Sequence, residues 1–212
     1  MSEVKILVCC AVKEEAAPFR RLAEGREYIA IVVSGVGRDN AERTVTAELN
    51  RYRPDFVLTC GFAGGLNPYL TSGSVIFETD DDRLRGKLFA AEARPARFFC
   101  SGKIATTAAE KKSLFDLTAA DAVEMESEVI QAICWKRKIP CATVRVISDT
   151  SSENLPLDFN LLAKADQNLD YAKLITAIIR HPSVISPLLK LAKTTQIAAA
   201  NLAQVLEKVV KS

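Results

Sequence analysis

The chain has 212 residues, 49% hydrophobic and 25% charged, with a formal net charge of +2. That length suits one domain with a proper core. So small a charge excludes the basic footprint of a nucleic-acid binder, and no apolar stretch is long enough to span a bilayer.

Residues 1–5 lead straight into an apolar run without a cleavage site, so no secretory leader is read there. The six cysteines (Cys9, Cys10, Cys60, Cys100, Cys134 and Cys141) form no Cys-x-x-Cys pair and read as reduced thiols of a cytoplasmic protein. A single histidine, His181, gives little support to zinc ligation or to a Ser-His or Cys-His nucleophile. Neither a metal nor a cofactor is expected, and any catalysis has to lean on carboxylates.

Residues 6–12 are apolar without alternation, the pattern of a strand buried on both faces. Lys13-Glu14-Glu15 then opens a helical pattern through Ala17, Phe19 and Leu22. Glu15 either favours the helix dipole or faces a ligand at the carboxyl end of the strand. Residues 28–34 predict a second buried strand, running into Gly35-Val36-Gly37 and a helix over 41–52. Gly-x-Gly alone is weak, since it lacks the third glycine of a dinucleotide fingerprint and the Gly-Lys-Ser/Thr of a P-loop. Asn40 reads as an N-cap.

Residues 56–60 predict a third strand, followed by Gly61-Phe62-Ala63-Gly64-Gly65-Leu66. Three glycines in five residues read either as a cradle of exposed N–H groups for a sugar or anion or as a plain loop. A short strand is expected over 74–78 and a charged surface loop, with room for another strand, over 80–97, then a helix over 108–117. Residues 122–127, Ala-Val-Glu-Met-Glu-Ser, enter a strong helix whose apolar face is Met125, Val129, Ile130, Ile133 and Cys134.

Residues 144–150, Val-Arg-Val-Ile-Ser-Asp-Thr, read as a buried strand with a polar loop at its carboxyl end. Asp149 there either caps a turn or does chemistry. From Leu161 the chain is predominantly helical, is broken at His181-Pro182, and ends in a long amphipathic helix over 186–211. The alternation of strands and helices predicts an α/β fold, a mixed, mostly parallel central sheet flanked by helices. Glu15, the 61–66 glycines and Asp149 each follow a buried strand, and Glu126 opens a helix. Carboxylates without histidine or metal suit glycosidic-bond cleavage.

Five segments in order carry a resemblance: Ala11-Val12-Lys13-Glu14-Glu15, Ser34-Gly35-Val36-Gly37, Gly61-Phe62-Ala63-Gly64-Gly65-Leu66, Val123-Glu124-Met125-Glu126-Ser127 and Arg145-Val146-Ile147-Ser148-Asp149. The sequence resembles the purine nucleoside phosphorylase / uridine phosphorylase superfamily, nearest its nucleosidase side. That side holds the 5′-methylthioadenosine/S-adenosylhomocysteine nucleosidases, futalosine hydrolases and the hopanoid-associated branch. The short middle section, Leu155-Pro156 and the tail from His181-Pro182 look most like the last of these.

The resemblance implies one nucleoside phosphorylase-like domain over 1–212 and a role for each matching residue. Asp149, oriented by Ser148, would meet purine N7. Glu15 would activate water. Glu126 would accept the ribose hydroxyls, and Met125 would pack on the ribose. Ala105 and Thr106 would read the base edge. Gly35, Gly61, Phe62, Ala63 and Glu124 complete the implied substrate-binding set. Where phosphorylases carry an arginine and a serine, this chain has Thr59 and Phe62, and their Gly-Asp-Pro-x-x-Arg is absent, so water rather than phosphate is implied as nucleophile.

Ala105 stands where the family has a purine-stacking aromatic, and Phe62 where methylthioadenosine nucleosidases have a small hydroxyl residue. Both differences imply an altered or larger 5′ substituent, such as a hopane skeleton. The implied activity is release of adenine from a 5′-substituted adenosine. The alternatives are a phosphorylase or an inactive nucleoside-binding relative. The implied partners are the nucleoside and a second copy in a homodimer, with membrane-surface contact by the C-terminal helix set against its packing internally or in a dimer.

Overall fold

The computed structural model describes residues 3–162 and 170–211. Strand β1 (Ile6–Cys10) is buried throughout, as its unbroken apolar run requires. It pairs in parallel with β2 (Ile29–Val33) and with β3 (Phe56–Gly65), and β3 pairs in parallel with β8 (Cys141–Asp149). Strand β4 (Val75–Thr79) runs antiparallel to β8 and parallel to β5 (Arg94–Pro95). Strand β7 (Ala122–Glu124) crosses antiparallel onto the end of β3 and carries β6 (Phe98–Cys100) beside it in parallel. The sheet is mixed and mostly parallel, and helices cover both faces.

On one face, α1 (Lys13–Leu22), α3 (Asp82–Ala90) and the C-terminal half of α7 (Ile185–Lys211) share a core with β1, β3, β4 and β8. On the other, α2 (Arg38–Arg51) and α5 (Ser127–Arg137) bury Val45, Leu49, Val129 and Cys134 against Leu7, Cys9 and Val57. Helix α4 (Ala108–Thr118) closes one end, started by a capping box between Thr107 and Glu110. Helix α6 (Tyr171–Arg180) precedes a short 3₁₀ turn and α7. No single described helix is long and apolar enough to cross a membrane, and the chain bends by 108° between α6 and the Pro182–Lys211 segment.

Several expectations are corrected. Strand β2 is only half-buried because it is the edge of the sheet. The 61–66 glycines form no loop, since β3 runs on to Gly65. Residues 80–97 hold the strand allowed there, β5, but also the helix α3 in place of most of the loop: Asp81 caps α3 by accepting from the Leu84 amide, and Leu84 and Leu88 bury one face. Asn40 lies inside the first turn of α2, behind the cap residue Gly37. Residues 122–124 are strand and α5 begins only at Ser127, so Met125 is not on its apolar face. Leu161 and Leu162 lie in a turn, and 163–169, predicted helical, fall outside the described residues.

Candidate active site

A cavity of about 390 Å³ opens at the carboxyl ends of β1, β3 and β8, where ligands collect in open α/β sheets. Its wall is mostly apolar, with Val36, Phe62, Ile104, Leu155, Phe159 and Leu191 around four acids, Glu15, Glu124, Glu126 and Asp149.

Glu15 sits in the first turn of α1 and turns back toward β1. Its Oε2 accepts the Ala11 and Val12 amides at 2.9 and 3.0 Å, and its Oε1 accepts the Phe62 amide from β3 at 2.9 Å. The carboxylate that caps α1 thus also lines the cavity. Burial raises the Glu15 carboxyl above its ordinary value, against the opposing amides and the charge of Arg145.

Asp149 and Ser148 are neighbours in sequence, yet both line the cavity. Residues in a regular strand point to opposite faces. The β3–β8 register shifts there, Ala63 facing Ile147 and Gly64 facing Asp149, so Ser148 is the extra residue of a bulge. The Ser148 hydroxyl donates to Asp149 Oδ1 at 2.5 Å and to the Ala63 carbonyl at 3.2 Å. Lys111 of α4, fully buried, donates to Asp149 Oδ2.

Glu126 accepts the Gly37 amide at 2.8 Å. Gly37 turns with a φ of +89°, a region that disfavours side chains. Burial pushes the Glu126 carboxyl up to about 7, opposed by Arg145 and reinforced by Glu124. Met125 lines the cavity from the turn between β7 and α5.

Three of the implied substrate contacts lie outside the cavity wall, and a fourth, Glu124, lines it with both oxygens engaged by the protein. Glu124 borders the cavity, but Arg145 and the Glu126 and Ser127 amides occupy its Oε2, and the Ser127 hydroxyl its Oε1. It holds the start of α5 in place. Burial alone would raise its carboxyl, and Arg145 and these donors bring it below its ordinary value. Thr106 is outside the wall, with its amide and hydroxyl both given to Glu110 and its carbonyl to the Leu155 amide. Gly35 and Gly61 are also outside the wall, and Gly61 instead makes room for Glu15. Phe62, Ala63, Ala105, Met125 and Ser148 do line it.

Reasoning on the sequence missed Lys111, Phe159 and the organising role of Arg145. An arginine in an otherwise apolar strand was the available signal for Arg145. Its guanidinium is 2% exposed, donates to Glu124 at 2.6 Å and to Thr59 Oγ1 at 3.2 Å, and lies 3.7 Å from Glu126. Among the described residues no group of three His, Cys, Asp or Glu side chains could hold a metal ion.

The sequence profile of the Phosphorylase superfamily matches residues 5–101 and 81–180. A 5′-methylthioadenosine/S-adenosylhomocysteine nucleosidase of Shewanella loihica is 25% identical over 195 residues, covering 74% of this chain and 83% of that one. The nucleosidase of the same name from Bacillus subtilis is 26% identical over 172 residues, covering 65% and 74%. Among solved structures, the futalosine hydrolase of Helicobacter pylori superposes with a TM-score of 0.73 at 16% identity, covering 98% and 97%. The 5′-methylthioadenosine/S-adenosylhomocysteine nucleosidase of Helicobacter pylori, in complex with butyl-thio-DADMe-Immucillin-A, gives 0.74 at 17%, covering 100% and 99%.

Proposed function

The chain belongs to the phosphorylase superfamily, and on that premise we propose that it is a purine nucleosidase, an N-glycosyl hydrolase acting on a 5′-substituted adenosine. The observation that carries this reading is the convergence of Glu15, Glu126 and Asp149 on one largely apolar cavity. Thr59 and Phe62 stand where a phosphorylase would hold its anion, and the nearby guanidinium of Arg145 is engaged by Glu124. Water is accordingly the nucleophile.

In the proposed reaction Glu126 accepts the ribose hydroxyls in charge-assisted hydrogen bonds, and Met125 packs against the sugar. Glu15 takes a proton from the attacking water. The C1′–N9 bond breaks with its electron pair going to the purine, and Asp149, oriented by Ser148, gives its carboxyl proton to N7 so that the base leaves neutral. The acids around the sugar stabilise its oxocarbenium character. Phe159 supplies an aromatic wall that Ala105 lacks.

A larger 5′ group is supported by a second cavity of about 320 Å³ that shares Ser148, Asp149, Leu155 and Leu191 with the first. Leu155, Pro156, Pro187 and Leu191 give it one apolar side, against which a group such as the hopane skeleton of adenosylhopane would pack. Beside it, α6 and the start of α7 expose Ile175, Ile179, Ile185 and Leu189, and residues 171–206 carry three lysines and one arginine but no carboxylate. This supports delivery of such a substrate at an anionic membrane surface, with the enzyme a cytoplasmic homodimer.

The test is base release from methylthioadenosine, S-adenosylhomocysteine, futalosine and adenosylhopane without phosphate. Glu15→Gln and Asp149→Asn are expected to abolish it. Ribose 1-phosphate formed only with added phosphate would overturn the choice of water. Liposome flotation of wild type against Ile175→Ser/Ile179→Ser tests the surface, and light scattering in solution tests the dimer.

A further inference from the structure

Helix α4 carries two adjacent lysines with opposite fates. Lys112 is exposed and pairs with Asp116 on the same helix. Lys111 is fully buried. Its ammonium donates to Asp149 Oδ2, to the Thr150 carbonyl at 2.8 Å and to the Glu153 carbonyl at 2.8 Å. An ammonium has three donors, and here each has an acceptor. A fully buried cation is costly unless a carboxylate compensates it, and an apolar side chain of similar volume is often no less stable. Packing alone therefore does not account for a lysine at this position. Among the described residues its one charged partner is the acid that faces the cavity.

We propose that Lys111 is a positioning residue for departure of the base, an inference that rests on the nucleosidase reading. Lys111 holds Oδ2 and Ser148 holds Oδ1, so Asp149 presents a single orientation to N7. The same ammonium ties in the 150–153 turn through two carbonyls, and so fixes the wall from which Asp149 projects. When the C1′–N9 bond breaks, its electron pair moves onto the purine. Asp149 passes its carboxyl proton to N7 as that pair arrives, and the carboxylate it becomes is neutralised by the fixed ammonium of Lys111. The proton given to N7 is balanced by the one Glu15 takes from water, so the hydrolysis is proton-neutral overall.

The experiment compares wild type, Lys111→Met and Lys111→Arg on two substrates with the same 5′ substituent. One is the adenosine. The other is a 4-nitrophenyl riboside, whose phenolate leaves without protonation of a ring nitrogen. In Lys111→Met, kcat on the adenosine is expected to fall about 100-fold, with KM within about threefold. The nitrophenyl riboside should lose no more than about fivefold, because its departure does not use Asp149.

Lys111→Arg keeps the charge but not the reach to both carbonyls, and the ratio of the two substrates reads it in the same way, including where Lys111→Met fails to fold. Equal losses on both substrates, or no loss on the adenosine, overturn the proposal. A wild type that releases no base from any nucleoside overturns the underlying nucleosidase reading instead.

Discussion

Gly61 and Glu15 compete for one volume. A Cβ built on Gly61 would lie 2.6 Å from Oε1 and 2.9 Å from the carboxyl carbon of Glu15. The glycine sits in β3 beside the amide of Phe62, which holds that same oxygen. It is therefore the absence of a side chain, rather than any loop, that lets an acid from α1 reach the end of β3. Gly61→Ala is expected to displace the Glu15 carboxylate from its three amides. Base release should fall by at least about 100-fold, as for a misplaced catalytic group. Stability should drop by only about 1–3 kcal/mol, the usual cost of overpacking. Steady-state kinetics and denaturant unfolding on the same preparation check both figures.

Arg145 and Glu124 form a buried ion pair at 2.6 Å. Removing one partner leaves an uncompensated buried charge, which costs about 3–5 kcal/mol. Arg145→Met and Glu124→Gln should each lower the unfolding midpoint strongly. The double variant should recover a large part of the loss, because neither charge is then stranded. A double-mutant cycle with strictly additive losses would contradict the pairing.

The acids predict a pH dependence. Glu126 is held at about 7 against an ordinary 4.5 by burial, and Glu15 is raised in the same direction by burial. Both must be ionised for their proposed roles, so kcat/KM should fall as pH drops below about 7. Glu126→Gln leaves only Glu15 on that limb and should make it shallower. Stability runs the other way. Between about 4.5 and 7 the folded state binds more protons at Glu126 than the unfolded chain does, so its contribution to stability decreases as pH rises through that window. Unfolding midpoints at pH 5 and 8, for wild type and Glu126→Gln, check the sign.

Helix α7 divides into two halves. Leu202 is 1% exposed in the main core, whereas Leu189 is 67% exposed. Leu202→Ala should cost about 2–5 kcal/mol by leaving a cavity, while Leu189→Ser should stay within about 0.5 kcal/mol. The C-terminal half is thus an internal element of the fold. Thermal unfolding of the two variants distinguishes the halves directly.

The periodicity of the chain was enough to place β1, α1, α2 and α7 within a few residues, because each buries a continuous run or one helical face. It also marked Glu15 and Asp149, since in a mostly parallel sheet the carboxyl ends of buried strands gather on one side, whereas Glu126 was marked only as the opening of a helix. Local pattern failed where the decisive partner was distant in sequence. The glycines at 61–65 read as a loop, yet pairing with β7 and β8 makes them strand. Residues 122–124 have a helical composition, but β3 and β6 capture them.

What the sequence determined by itself was the α/β class and a set of carboxylates fit for glycosidic chemistry. Only the tertiary structure decided how those carboxylates are held. A bulge at Ser148 aims two consecutive side chains into one cavity. Gly61 clears space for Glu15, Arg145 takes up Glu124 and leaves Glu126 at the wall, and Lys111 reaches Asp149 from another helix. These are relations between residues tens of positions apart. A one-dimensional pattern records which side chains are present, while burial and charge compensation depend on which of them meet.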